Sequence, residues 1–203
     1  LADDPEERMD EFGSLVDRSH KAGLKVMIDF VPNHVSRDYG KVGFSEGHPC
    51  LGADDDKTAH WKAENDFFYY PGQSLTLPTS CPKGIKPYEE NPAMATGNNC
   101  YTPFPGINDW YETVKINYCD FHTATWDKMY DIVRFWASKG VDGFRCDMVE
   151  LVPPEFFKWL IARIKEEYPE VMFVAEVYKK DLYRKYIREI GFDFLYDKSG
   201  LYD

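Results

Sequence analysis

No stretch of this sequence holds the roughly 20 consecutive apolar residues of a membrane-spanning helix, so no membrane span is expected in it. Basic residues are few: 24 Lys and Arg stand against 35 Asp and Glu, and the net charge is −11. A phosphate backbone would be repelled, so no nucleic-acid partner is expected. Neither a strand-GxGxxG-helix pattern nor GxxxxGK[ST] occurs, so the nucleotide-binding α/β folds lack their fingerprint. There is no CxxC pair, which argues against a zinc site. His20, His48, His60 and His122 have no paired metal spacing and read as surface or capping residues. The chain opens Leu1-Ala2-Asp3-Asp4, without an initiating Met or a basic leader, and is expected to be trimmed or part of something longer.

What is present suits a folded core. In 203 residues, 43% are hydrophobic and 29% charged, which fits one domain or two small ones and not a disordered chain. Aromatics reach 16%, enough for a bulky core or for a surface that stacks on flat ligands such as sugars. Cys50, Cys81, Cys100 and Cys119 lie in one loop-rich stretch and allow three disulfide connectivities if oxidised. Cys146 falls in an apolar run and reads as a small buried hydrophobe.

Hydrophobic spacing divides the chain. Met9, Phe12, Leu15, Val16 and Ala22 can share one face of a helix that Gly23 stops. Leu24 to Val31 is a short apolar run, as expected of a parallel strand buried on both faces. From Val35 to about Asn117 sustained period is lost, which predicts a functional loop region or an inserted subdomain poor in regular structure. Helical spacing returns at Thr125 and ends at Gly140. Val141–Asp147 then reads as a strand, Pro153 to Tyr168 as a helix, Val171–Glu176 as a strand, Asp181–Ile190 as a helix and Phe192–Tyr196 as a strand. Strands alternating with helices predict a parallel sheet, either open and doubly wound or part of a barrel.

The chemistry gathers where the strands end. Asp29 lies in the first strand, with Asn33 and His34 just beyond it. Arg145 and Asp147 lie in the second, and Glu176 closes the third. Carboxyl ends of parallel strands are where α/β folds build their sites. Arg145 and Asp147 are two residues apart and so share a face. The guanidinium is expected to hold Asp147 ionised, able to attack an electrophilic carbon. Glu176 follows Phe173-Val174-Ala175, surroundings apolar enough to raise its pKa for acid work. Two carboxyl groups on neighbouring strands suit glycoside hydrolysis.

These residues fall into an ordered set that resembles the α-amylase family of retaining glycoside hydrolases, glycoside hydrolase family 13. Asp29-Phe30-Val31-Pro32-Asn33-His34 matches the family's DxxxNH motif, Gly143-Phe144-Arg145-Cys146-Asp147 its GFRxD motif, and Val174-Ala175-Glu176-Val177 the motif around its acid. The resemblance implies a partial TIM-type (β/α)8 barrel, about strands 3 to 6, with an inserted irregular domain B. Residues 1–34 would be a barrel segment, 35–117 domain B, and 118–203 the second barrel segment. It implies Asp147 as nucleophile, Glu176 as general acid/base, Arg145 as the group that orients Asp147, and His34 as a sugar ligand. Asp29 and Asn33 would support the site, Asn33 being a calcium ligand in many members. The implied partner is an oligosaccharide or polysaccharide α-glucan. A related reading, a barrel-like transporter subunit or binding module without catalysis, is disfavoured because Asp147, Glu176, Arg145 and His34 are all present.

Three departures from the pattern bear on function. The family's fourth motif, a His-Asp pair that supplies the third carboxylate, does not occur within residues 1–203, so this stretch alone is expected to be inactive. The Lys-His that often follows the nucleophile is replaced by Glu150-Leu151. Where many members carry a calcium-binding Asp near the end of domain B, this chain has Lys115. An ammonium cannot ligate a cation but can occupy its place, so the expectation is no cofactor and no metal, with calcium through Asn33 as the alternative. Trp61, Phe67-Phe68-Tyr69-Tyr70 and Trp110-Tyr111 could stack on sugars, with core packing the reading for most of them.

Overall fold

The computed structural model describes residues 4–39, 50–79, 88–197 and 200. They form two compact units. One contains the described residues up to Phe30, then Met129–Glu150, then the chain from Pro154 onward; the other contains Val31–Lys128 and Leu151–Pro153. The irregular stretch expected at 35–117 falls inside the second unit.

In chain order the elements are α1 (Arg8–Lys21), β1 (Met27–Phe30), β2 (His34–Ser36), β3 (Tyr69–Tyr70), β4 (Ala93–Met94), β5 (Thr113–Lys115), α2 (Ala124–Ser138), β6 (Gly143–Cys146), α3 (Pro154–Glu167), β7 (Met172–Val177) and β8 (Phe194–Asp197). The first unit is built on the sheet β1-β6-β7-β8, every neighbouring pair parallel. Parallel neighbours need crossovers, and α3 supplies the one between β6 and β7. Its residues Phe156, Phe157, Leu160, Ile161 and Ile164 recur at helical spacing and are at most 3% exposed. Each such side chain contributes about 1.5–3 kcal/mol by burial, so this face is what holds the helix in place. One face of the sheet is equally dry: Phe144, Cys146, Phe173, Ala175 and Val177 are 0–1% exposed, and the rings of Phe144 and Phe173 stack at 5.7 Å. This is the parallel sheet of a (β/α) barrel segment.

Gly143 opens β6 because nothing larger fits. A Cβ there would stand 2.9 Å from the Met172 carbonyl oxygen and 3.0 Å from the Met27 terminal methyl.

Three expectations are corrected here. The first strand is not buried on both faces: Met27 is 43% exposed and Asp29 is also open, because β1 is an edge of the described sheet. On α1 only Val16 is buried; Met9 and Leu15 face outward, while Phe12 packs edge-on against Trp136 at 5.1 Å. The helix expected over 181–190 is irregular. It passes from a 3-10 turn (Lys180–Leu182) through one α turn (Tyr183–Lys185) into a π turn (Tyr186–Ile190), which Gly191 ends at φ +104°. Tyr186 and Ile190 are the buried residues of that last turn.

The second unit has little sheet: β2 pairs antiparallel with β5, and β3 with β4. Phe68, Tyr70, Ala93 and Ala95 form its small core, with Leu75 against them. Most of the aromatics singled out in sequence are indeed core, Phe67 to Tyr70 being 3–8% exposed, whereas Trp61 is 56% exposed. Buried polar side chains do the work of missing ladders. Arg37 pairs with Glu90 at 2.6 Å and also donates to the carbonyls of Tyr111 and Met94. Asp66 has a fully buried side chain that accepts from Thr125 Oγ1 (2.7 Å), the Gly52 amide (2.7 Å) and Lys128 Nζ (2.5 Å). Cys100 and Cys119 are thiols, donating to Asp109 and Asn117. Cys81 lies outside the described residues, and so do the pairings that would use it.

Asp66 gives this unit a measurable dependence. Asp66→Ala strands the nearly buried Lys128 and should cost about 3–5 kcal/mol, whereas Asp66→Asn keeps one acceptor oxygen for the Gly52 amide and Lys128 Nζ and can donate its NH2 to the Thr125 hydroxyl, and should cost clearly less. Urea denaturation of the two variants checks the ordering; equal costs would show that the charge pairing is not the relevant interaction.

Candidate active site

Register builds the site in the first unit. Asp29 pairs with Arg145, which pairs with Val174; one pleat further on, Glu176 pairs with Tyr196. Because side chains alternate, Asp29, Arg145, Asp147, Glu176 and Tyr196 fall on the sheet face opposite to Phe144 and Cys146. β6 ends at Cys146, yet the Asp147 amide still donates to the Phe30 carbonyl at 2.9 Å, which carries the strand geometry one residue further.

Arg145 is the hub. One guanidinium nitrogen lies 2.7 Å from Asp147 Oδ1 and 3.5 Å from Asp29 Oδ2, and the other lies 2.7 Å from Glu176 Oε1. The guanidinium also lies 5.5 Å from the Tyr196 ring centre, within cation–π range. The Asp147 contact has the short length of a charge-assisted bond, as expected from sequence.

Glu176 is the most enclosed member, with its side chain 2% exposed. Its surroundings are polar, which differs from the apolar pocket expected. Oε1 also accepts from the Tyr178 hydroxyl at 2.9 Å, and Oε2 from the Met148 amide at 3.1 Å. Met148 reaches that position with φ +48°, a left-handed conformation uncommon for a long side chain. The backbone thus turns sharply after Asp147 and aims an amide at the neighbouring carboxylate.

Asp147 also departs from expectation. Burial, then the hydrogen bond and charge of Glu176, push its carboxyl above the usual aspartate range, and Arg145 pulls it back only in part.

In the second unit, Asn33 and His34 form a separate cluster with Lys115. Asn33 is fully buried, and its amide is oriented by its partners: Nδ2 donates to the Gly97 carbonyl at 2.7 Å, and Oδ1 accepts from Lys115 Nζ. The same Nδ2 lies 3.1 Å from His34 Nδ1, so that ring nitrogen accepts and the ring proton sits on Nε2. Burial, then the Lys115 charge, lowers the His34 pKa, which keeps the ring neutral. Trp110 covers it, ring centres 5.3 Å apart. Lys115 also donates to the Leu151 carbonyl at 2.6 Å, and burial brings its pKa down to about 7. The oxygens of Asn33 and Leu151 therefore face Lys115 Nζ. Among the described residues, no group of three or more His, Cys, Asp or Glu side chains converges as a metal site.

Structure thus brings Asp29, Arg145, Asp147 and Glu176 together, and separately Asn33, His34 and Lys115. Sequence reasoning missed Tyr178 and the Met148 amide. Tyr178 was detectable in principle, since it stands two residues past Glu176 with the same parity; the amide, a backbone group, left no mark.

Comparison with known proteins agrees with this geometry. The family description "Alpha amylase, catalytic domain" matches residues 7–195. The chain is 26% identical over 186 residues to an alpha-1,4-glucan:maltose-1-phosphate maltosyltransferase of Mycolicibacterium smegmatis, covering 87% of this chain and 26% of that enzyme. It is 25% identical to the enzyme of the same description from Rhodospirillum rubrum, covering 91% of this chain and 20% of that one. Among solved structures it resembles an alpha-amylase from Lactobacillus plantarum, with 24% identity, TM-score 0.52, and coverage of 91% of this chain and 32% of that one. It also resembles a cyclic alpha-maltosyl-(1-->6)-maltose hydrolase from Arthrobacter globiformis, with 16% identity, TM-score 0.59, and coverage of 92% and 35%. The chain therefore spans less than two thirds of each of these proteins. The family match runs through β1, β6 and β7 and through every carboxylate on the sheet face: this chain belongs to the alpha-amylase catalytic-domain family.

Proposed function

We propose that this chain carries the catalytic carboxylates of an α-glucan-active retaining glycoside hydrolase or transglycosylase. The observation that carries the reading is the single guanidinium of Arg145 bonded to both Asp147 and Glu176. Asp147, ionised, attacks the anomeric carbon; the glycosidic C–O bond breaks as Glu176 gives its proton to the leaving oxygen. Glu176, now a carboxylate, takes a proton from water or from a sugar hydroxyl. That oxygen attacks the same carbon and releases Asp147, giving hydrolysis or transfer respectively. A retaining pair keeps its carboxyl groups about 5–5.5 Å apart. Among the described residues no helix is long and apolar enough to cross a membrane. The acidic balance of the chain favours a neutral saccharide over a polyanion as substrate.

His34 offers its Nε2 proton to a sugar hydroxyl, a role its neutral state suits. Lys115 serves in place of a metal: its ammonium already engages the Asn33 and Leu151 oxygens that a cation would need. No step above is routed through calcium.

In the full-length protein, Asp147→Asn should lower kcat by about 10⁴-fold or more with the thermal midpoint little changed, because an amide cannot serve as the nucleophile. Glu176→Gln should cost about 10²–10⁴-fold on α-glucans and far less on glycosyl fluorides, whose leaving group needs no proton. Full activity in Asp147→Asn would overturn the reading.

The pH profile tests the coupling. Glu176 raises Asp147, so in Glu176→Gln the acid limb of kcat/KM on a glycosyl fluoride should move to lower pH than in the parent. A limb that stays, or moves up, would show that Asp147 is not the group being read.

Treatment with a strong chelator should leave the thermal midpoint unchanged, since Lys115 Nζ fills the position. A fall of several degrees would show a bound cation instead.

A further inference from the structure

One carboxylate beside the site has no part in the steps above. Glu150 lies three residues past Asp147, in the 3-10 turn Val149–Leu151. Its Oε1 accepts two successive backbone amides, from Tyr178 at 2.6 Å and Lys179 at 2.8 Å. Those amides belong to the segment that leaves β7 directly after Glu176. Lys179 stands at the start of the 3-10 turn Lys180–Leu182, so Glu150 fixes the two amides that lead into that turn. The turn carrying Glu150 is pinned too, because the Tyr186 hydroxyl donates to the Val149 carbonyl at 3.1 Å. Burial first, and the Glu150 charge next, push Tyr186 up to about 12, so it remains a donor. Tyr178, held at its backbone by Glu150, donates its own hydroxyl to Glu176 Oε1 at 2.9 Å.

We propose that Glu150 is a positioning residue for proton transfer: it clamps the segment after β7 so that Tyr178 holds the Glu176 carboxyl in line. The proposal rests on the glycosidase reading. It gives a function to a residue that departs from the Lys-His pattern, and the function is local: one oxygen fixes two amides, and those amides fix the hydroxyl that orients the acid. Loss of the clamp should harm protonation of the leaving group and spare attack by Asp147, which is held by Arg145 and by the Phe30 carbonyl instead.

The test compares two substrates in the full-length protein, an α-glucan and a glycosyl fluoride. Since a positioned acid contributes 10²–10⁴-fold, Glu150→Ala should lower kcat on the glucan by about 10–100-fold and on the fluoride by less than about 3-fold. Tyr178→Phe should show the same selectivity. Glu150→Gln keeps an acceptor oxygen and should recover most of the loss; a Gln variant as impaired as Ala would overturn the proposal. Should Glu150→Ala not fold, Glu150→Asp decides, because it keeps the charge and shortens the reach by one methylene. It should show the same selective loss at smaller size. Equal losses on both substrates, or none on either, in the variant that folds would overturn the clamp. Failure of the underlying reading looks different: it would appear as full activity in Asp147→Asn, or as no leaving-group dependence in Glu176→Gln.

Discussion

The chemistry of the first unit depends on one cation among three carboxylates. Arg145 sits between Asp29, Asp147 and Glu176 on one face of a parallel sheet. Without it, the buried Glu176 carboxyl and the partly buried Asp147 carboxyl on adjacent strands would repel, and the cost would be met by protonation or by parting the strands. With it, both side chains have a cationic partner on the same sheet face. The short contacts are to Asp147 and Glu176, and the longer one is to the exposed Asp29. Asp29 is therefore best understood as trimming the orientation of the guanidinium from the sheet edge.

Much of this was legible in the sequence because strand periodicity is local. Residues two apart must share a face, so Arg145 and Asp147 had to act together, and the order of helices and strands required parallel neighbours. Less was legible where the outcome depends on what lies beyond the strand. The Leu24–Val31 run reads as doubly buried, but β1 is an edge and Met27 is exposed. Spacing over 181–190 is helical, yet the winding changes twice, from 3-10 through α to π. The pKa of Asp147 could not be read from Arg145 alone, since its direction is set by burial and by Glu176, which stands 29 residues further along the chain. The left-handed turn at Met148 has no residue signature, because glycine is absent where the geometry would favour it.

The second unit shows a different economy of structure. Its strands are two or three residues long, too short to specify a fold by ladders. Side chains that accept or donate to backbone replace them: Asp55 takes the amides of Asp66 and Phe67, Asn117 donates to the carbonyls of Lys62 and Asn65, and Arg37 reaches two carbonyls and a carboxylate. Such networks are costly when incomplete, which is why these residues are drawn from Asn, Asp and Arg and not from apolar types. The loss of hydrophobic period across this stretch is the sequence trace of that strategy.

The pleat that aligns Arg145 with Asp147 also makes the strand sensitive to length. Deleting one residue between Gly143 and Asp147 would turn the parity over, sending the guanidinium and the carboxylate toward the space that Phe144 and Cys146 now fill at 1% and 0% exposure. Two charges would enter a dry helix-facing layer while two apolar groups moved to the polar side. Substitutions along β6 can be graded by size and charge, but insertions and deletions there have no mild form. Outside the paired strands, by contrast, an added residue changes a loop and leaves the parity of the strands intact.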